Sequence, residues 1–295
     1  MSNTATNGII KYNHEIKKYN SWRVGGRVKC CYWPSDANDM ANFIKSLPAT
    51  EKIIILGLGS NILFPDEDLN ATVIITTKAL TGTSLLEPGL FRFEAGVSCA
   101  KVAKITCREG YNAGGFFAGI PGTMGGALRM NAGAFGGETW RYVEAVDFML
   151  STGSIKKLMA SEFDFSYRHV NLPYEGWFIA SYLRFTDDCK NTDTSIAELL
   201  KKRNASQPIG SFNCGSVFKN PEQGYAAQYI ESCGLKGKRI GGAVISPKHA
   251  NFIINDKDAT TEDILALMNL ARERVLAEHG VLLEPEVKVY CENWG

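Results

Sequence analysis

The sequence predicts an α+β fold built in more than one part, and three observations predict it. Short apolar runs of strand length recur along the chain, Ile53–Leu56 and Val143–Leu150 among them. Between them lie segments whose apolar residues repeat at helical spacing, such as Met40, Phe43, Ile44 and Leu47. The third observation is the stretch Ala118–Glu138, AGIPGTMGGALRMNAGAFGGE, which follows neither period and divides the periodic segments. A chain of 295 residues has room for about two or three domains.

Composition narrows the classes of function. Hydrophobic residues make up 45% and charged residues 21%, enough apolar material for a sizeable core. A net charge of +1 supplies no electrostatic reason for nucleic acid or an anionic membrane surface as a partner. No apolar run approaches the roughly 18 residues of a membrane span. The first residues lack the apolar core of an export signal, and the eight cysteines form no CxxC pair. Reduced thiols in a cytoplasmic protein are therefore expected. His14, His169, His249 and His279 are far apart and form no ligand pattern, so no metal site is expected.

Taken in order, residues 1–20 are polar and read as a loosely held lead-in. Trp22–Gly26 turns the chain into its first unit, where Asp36 caps the helix carrying Met40 and Phe43. Ile53–Leu56 and Val73–Ile75 are strands. Phe91–Ala95 alternates as a strand, and Ser98 caps a helix through Arg108 that Gly110 closes. After the glycine-rich stretch, Val143–Leu150 and Ser154–Leu158 are strands joined by a Ser-Thr-Gly turn, and Phe178–Phe185 is another. Thr186–Thr194 reads as a linker. Ile196–Ala205 is a helix ending before Pro208. A helix over Ala226–Cys233 stops at Gly234, and Ala243–Ile245 and Asn251–Ile254 are short strands. Thr260 and Asp263 cap a helix that presents Ile264, Leu267, Met268, Ala271 and Val275 and ends at Gly280. A last strand runs through Tyr290.

Two glycine-rich segments suggest anion binding. Glycine frees the backbone for positive φ and removes the Cβ that would hold another group away. Backbone N–H groups in such runs can converge on phosphate oxygens. Ala118–Glu138 admits either an ordered packing loop or a pyrophosphate cradle. Gly57-Leu58-Gly59-Ser60-Asn61 lacks the third glycine of a dinucleotide fingerprint, and Pro65 and Asp66 follow where its helix should run, so a Rossmann unit is rejected. Taken alone it reads first as an ordinary turn, whose backbone donors, Ser60 hydroxyl and Asn61 amide can also hold phosphate oxygens. Taken by themselves, Arg168 reads as a surface charge or a fixed fork for a carboxylate. Ser216 alone reads as a turn serine, and Glu286 as a carboxylate at a strand end.

The motifs WRVGG, LGLGSN, AGIPGTMGGALRMNAGAFGGE, SYR, GSVFKNP, GLKG with IGGA, and LEPEV occur in this order from about residue 20 to residue 290. Together they resemble the UDP-N-acetylenolpyruvoylglucosamine reductase family. The resemblance implies a two-part FAD-binding unit of the vanillyl-alcohol-oxidase-like type, residues 1–78 and 79–200. A substrate-binding α+β domain would follow over 201–283, with the strand in 284–295 able to pack back on the second part. It implies that Gly57, Gly59, Ser60 and Asn61 take one side of the FAD pyrophosphate and Gly119, Gly122, Thr123, Gly125 and Gly126 another. Neither loop holds a histidine or cysteine, so non-covalent FAD is expected, with NADPH as hydride donor. Ser216 would be the proton donor. Arg168 and Glu286 would stabilise an enolate, Glu286 only as a protonated hydrogen-bond donor. Tyr167, Lys219 and Asn220 would contact the UDP-linked enolpyruvyl substrate. A monomer of the family's shorter form, without its extra tyrosine loop, is implied.

Val170 stands where the family often has serine, and Cys214 where alanine is usual. Two other readings stay open. One is an oxidase or dehydrogenase of the same fold acting on a small alcohol or hydroxy acid, against which GSVFKNP and LEPEV count. The other is a nucleotide-binding module without catalysis, against which the set Ser216, Arg168 and Glu286 counts.

Overall fold

The computed structural model describes residues 6–189 and 195–291, in two units. One comprises residues 1–12, 30–57 and 71–202, the other residues 13–29, 58–70 and 203–295. The core of the expected linker, 190–194, and the chain's last four residues lie outside the description. Among the described residues, no helix is long and apolar enough to cross a membrane.

In the first unit, a five-stranded antiparallel sheet runs in the order Ile155–Met159, Val143–Leu150, Gly176–Arg184, Leu90–Glu94, Thr83–Glu87. Phe148 faces Phe178 across the central pair, and both are buried with Phe91, Phe93 and Trp140. A second sheet has the order Ile9–Glu15, Arg27–Trp33, Leu69–Ile75, Ile53–Leu56, its last pair parallel. The segment read as a loosely held lead-in is therefore partly a strand. Ile10 and His14, four positions apart, are half-buried while the other five residues of the strand are exposed. An edge strand with one solvated face carries too few apolar residues to stand out from a polar tail.

The helices follow local chemistry closely. Helix α1, Ala37–Ser46, begins where the Asp36 side chain accepts from the Asp39 N–H, and it buries Met40, Ala41, Phe43 and Ile44. Helix α2, Cys99–Arg108, begins where Ser98 accepts from the Lys101 N–H and buries Cys99, Val102, Ala103 and Thr106, spaced i, i+3, i+4, i+7. The glycine-rich stretch departs from the expectation of an aperiodic loop. A 3₁₀ helix, Asn112–Gly119, leads into it, and helix α3, Met124–Arg129, lies within it. Met124, Ala127 and Leu128 are buried at helical spacing, but six residues, two of them glycine, are too short to show a period.

In the second unit, helices α5, Ala226–Ser232, and α6, Thr261–His279, share a core with the three-stranded sheet Arg239–Ile240, Ala243–Ile245, Ile253–Asn255. Helix α4, Ile196–Ser206, precedes them in the chain. At α6, Thr260 accepts from the Asp263 N–H while Asp263 accepts from the Thr260 N–H. Gly280, at φ 68°, ends the helix with its N–H on the Leu276 carbonyl. The final strand, Lys288–Val289, runs parallel to Ile62–Leu63.

Candidate active site

The second unit brings three distant motifs onto one backbone ladder. The Val217 carbonyl accepts from the Glu286 N–H at 2.8 Å, and the Glu284 carbonyl accepts from the Lys219 N–H at 2.9 Å. GSVFKNP and LEPEV are thus paired segments, and Ser216 and Glu286, both half-buried, sit at one end of the pairing. LGLGSN joins them: the Asn61 side chain donates to the Glu286 carbonyl at 3.1 Å, and the Asn61 carbonyl accepts from the Lys288 N–H at 3.1 Å. Asn61, expected at a pyrophosphate, is hydrogen-bonded to the segment that carries Glu286.

Two asparagines that sequence reasoning missed hold the Ser216 segment. Asn251, 2% exposed, spans Phe218 from both sides. Its Oδ1 accepts from the Phe218 N–H at 2.9 Å and its Nδ2 donates to the Phe218 carbonyl at 2.8 Å. Its own carbonyl accepts from the Val217 N–H at 2.9 Å. On the other side, Asn213 Oδ1 accepts from the Gly215 N–H at 2.9 Å, and its Nδ2 donates to the Pro208 and Ser211 carbonyls. Gly215, at φ 75°, makes the turn between them. Asn213 lies in a short segment where asparagine ordinarily marks a turn, and Asn251 opens a short expected strand, so neither position marks a distant backbone partner.

The expected substrate contacts of this unit are engaged within the protein. Lys219 Nζ lies 3.2 Å from Glu284 Oε2, and Asn220 Oδ1 accepts from the Ala226 N–H at the start of α5. Cys214, one of the departures, is 3% exposed and its Sγ donates to the Gly59 and Ile62 carbonyls at 3.6 Å. Burial pushes its thiol up to about 12. The sulfur thus supports the LGLGSN loop from beneath. Gly59 adopts φ 64°, its carbonyl also accepting from the Ser21 N–H next to the buried Trp22.

In the first unit, Arg168 is organised by the glycine-rich stretch. Tyr167 and Arg168 form the tight turn of a hairpin between Asp164–Ser166 and His169–Asn171, with Arg168 at φ 53°. Its guanidinium donates to the Gly133 carbonyl at 2.9 Å and the Asn131 carbonyl at 3.3 Å, and lies 5.1 Å from the Tyr167 ring centroid. Arg168 is half-buried and Tyr167 exposed. Asn131, fully buried, secures the hairpin by donating from Nδ2 to the Ser166 carbonyl and accepting from the Trp140 N–H. Arg129 donates to the carbonyl of Val170, whose side chain lies in the core. An apolar residue there is consistent with its burial.

The glycines of Ala118–Gly126 divide by environment. A Cβ on Gly119 would lie 2.6 Å from Ala134 Cβ, and one on Gly125 would lie 2.9 Å from Ala95 Cβ. Those two glycines let the loop close on its neighbours. Gly57 likewise packs against the Thr123 side chain. Gly122 offers its carbonyl to the Cys99 N–H, and the Met124 and Gly125 N–H groups donate to the Val97 and Ala95 carbonyls. Thr123, buried, is the N-cap of α3. Gly126 differs: it is exposed, and a Cβ there would meet nothing closer than Thr123 Oγ1 at 4.0 Å.

This fold and these loops define the class of FAD-binding α+β proteins with a separate C-terminal domain. A family model described as FAD binding domain matches residues 28–159, and one described as UDP-N-acetylenolpyruvoylglucosamine reductase, C-terminal domain, matches residues 207–290. The chain belongs to the UDP-N-acetylenolpyruvoylglucosamine reductase family. It is 45% identical to the UDP-N-acetylenolpyruvoylglucosamine reductase of Coxiella burnetii (strain Dugway 5J108-111), covering 97% of each chain. It is also 45% identical to that of Legionella pneumophila (strain Paris), covering 97% of this chain and 95% of the relative. The crystal structure of the reductase from Thermus caldophilus is similar with a TM-score of 0.79 and 29% identity, over 97% of this chain and 99% of that one.

Proposed function

We infer that this protein reduces UDP-N-acetylglucosamine enolpyruvate to UDP-N-acetylmuramate with NADPH through bound FAD, a step of peptidoglycan precursor synthesis. Relatives at 45% identity over nearly the whole chain carry the reading. The backbone ladder that brings GSVFKNP beside LEPEV supports it.

The residues present fit FAD. Gly126 offers a backbone N–H and space where a Cβ would stand, and the Ser60 hydroxyl is a further donor for a diphosphate. Gly119, Gly122, Thr123 and Gly125 shape the first unit's loop, Gly57 packs on it, and Gly59 and Asn61 shape the LGLGSN turn. FAD, when bound, supplies hydride transfer from NADPH to the methylene carbon of the enol ether. The chain's own residues supply the rest. Ser216 Oγ–H gives a proton to the neighbouring carbon, a task within a hydroxyl's reach only against a strongly basic carbanion and with close placement. Arg168 presents a planar fork to the developing enolate carboxylate, and its bonds to two carbonyls of the glycine-rich stretch hold that fork in orientation. Glu286, as a neutral carboxylic acid, donates a hydrogen bond to the same charge. Tyr167, Lys219 and Asn220 contact the substrate, Lys219 exchanging its Glu284 partner for a phosphate.

The protein works as a cytoplasmic monomer on small molecules, without nucleic acid or membrane. The division 1–78, 79–200 and 201–283 assigns the first two parts to FAD and the third to the sugar nucleotide.

Anaerobic stopped-flow absorbance of the flavin tests the reaction, with NADPH added before the enolpyruvyl substrate. Ser216→Ala should keep flavin bleaching by NADPH and slow its recovery on adding substrate by roughly 10²–10⁴-fold. Equal slowing of both phases would remove Ser216 as proton donor. The flavin is held without a covalent bond, and denaturing electrophoresis should leave no fluorescent flavin on the protein band.

A further inference from the structure

Ser216 can act as an acid only if its hydroxyl is held at one place, and its own segment gives it no regular secondary structure. What fixes the segment is a side chain 35 positions away in the chain. Resting on the reading of Ser216 as proton donor, we propose that Asn251 is the positioning residue of that serine: its amide locks the Phe218 peptide on both sides and so sets where Ser216 stands.

Five observations carry this. The Asn251 side chain makes a two-point clamp, accepting from the Phe218 N–H at 2.9 Å and donating to the Phe218 carbonyl at 2.8 Å. An amide carries a donor and an acceptor side by side without needing to be protonated, so it satisfies both ends of one residue at neutral pH. The Asn251 backbone carbonyl adds a third bond, from the Val217 N–H at 2.9 Å. Asn251 is 2% exposed, so water does not readily replace a lost bond. The clamp also lies on the Glu286 ladder, since the Val217 carbonyl between Ser216 and Phe218 accepts the Glu286 N–H. The clamped segment is thus the one that pairs with the Glu286 backbone. Asn213 restrains Gly215 on the other side, leaving Ser216 between two fixed peptides.

The test is Asn251→Asp in the FAD-loaded protein, followed through both half-reactions. An ionised aspartate can accept from the Phe218 N–H but cannot donate to its carbonyl; a protonated one does both, as asparagine does. At neutral pH the recovery of oxidised flavin on adding the enolpyruvyl substrate should slow roughly 10–100-fold, the scale of an ångström-sized misplacement, while bleaching by NADPH keeps its rate. Relative to the unaltered protein at each pH, recovery should return as the pH is lowered. In a double-mutant cycle, adding Asn251→Asp to Ser216→Ala should cost nothing further, because the group it positions is already gone.

If Ser216→Ala slows recovery selectively while Asn251→Asp slows both phases equally, or its ratio to the unaltered protein is flat with pH, the positioning role is overturned and the proton-donor reading stands. If Ser216→Ala itself is not selective, the underlying reading has failed instead. A variant that folds poorly or cannot hold flavin, with Asn251→Ala behaving the same way, would show that Asn251 serves the fold alone and would overturn the proposal.

Discussion

Asp39 shows how a single side chain ties a fold to pH. Its carboxylate accepts from the Tyr32 hydroxyl at 2.6 Å and from the Ser35 and Asn7 N–H groups at 2.8 Å. Burial opposes its ionisation, but these donors outweigh burial and hold its pKa below the ordinary aspartate value of 3.8. A pKa lower in the folded than in the unfolded chain means stability that is present above the unfolded value and lost as pH falls through the folded one. Stability should therefore drop below about pH 4. Asp39→Asn should cost about 1–3 kcal/mol at neutral pH and flatten that acid dependence. Urea unfolding midpoints measured from pH 7 downward check it, and parallel pH profiles for the two proteins would remove Asp39 from the acid response. At this scale the sequence was partly legible. Ser216, Arg168 and Glu286 stood in motifs that could be matched, and Asp36 and Ser98 were recognisable caps. Asn131, Asn213 and Asn251 were not, because an asparagine's role depends on which backbone groups face it in space.

At the scale of elements, the glycine-rich stretch separates packing from ligand binding. Gly119 and Gly125 have neighbours within 3 Å of a Cβ, whereas Gly126 has open space. Gly126→Ala should leave the fold as stable or up to about 1 kcal/mol more stable, since alanine favours the helix it enters. The same change should weaken FAD by roughly tenfold, about 1.4 kcal/mol, by filling room a diphosphate uses. Flavin titration beside thermal melting reads both quantities, and an unchanged FAD affinity would take Gly126 out of the cofactor site. Helices with a cap and four or five apolar residues at 3.6-residue spacing were legible to within a residue or two, as α1, α2 and α6 show. The edge strand Ile9–Glu15 and the six-residue α3 were not. Each derives its order from neighbours supplied by other parts of the chain rather than from a long internal period.

Across the whole molecule, burial decides which cysteines can react. Burial pushes the Cys99 and Cys214 thiols up to about 12, so each is almost wholly protonated at neutral pH. Iodoacetamide followed by mass spectrometry should leave both unlabelled in the folded protein and label them on unfolding. Modification of either at the rate of a free thiol would contradict this burial. The sequence by itself determined the α+β class, the capped helices, the order of the motifs and, through them, the family and its flavin chemistry. These rest on residues close together in the chain or on motifs recognisable one at a time. Only the tertiary structure decided that the Asn61 side chain meets the Glu286 carbonyl across 225 positions, and that Asn251 clamps Phe218 across 33. It also decided which glycines close a loop and which leave space. The physical reason is that hydrogen bonds and steric room are properties of neighbours in space. No local period or propensity records which distant backbone group will arrive beside a given side chain.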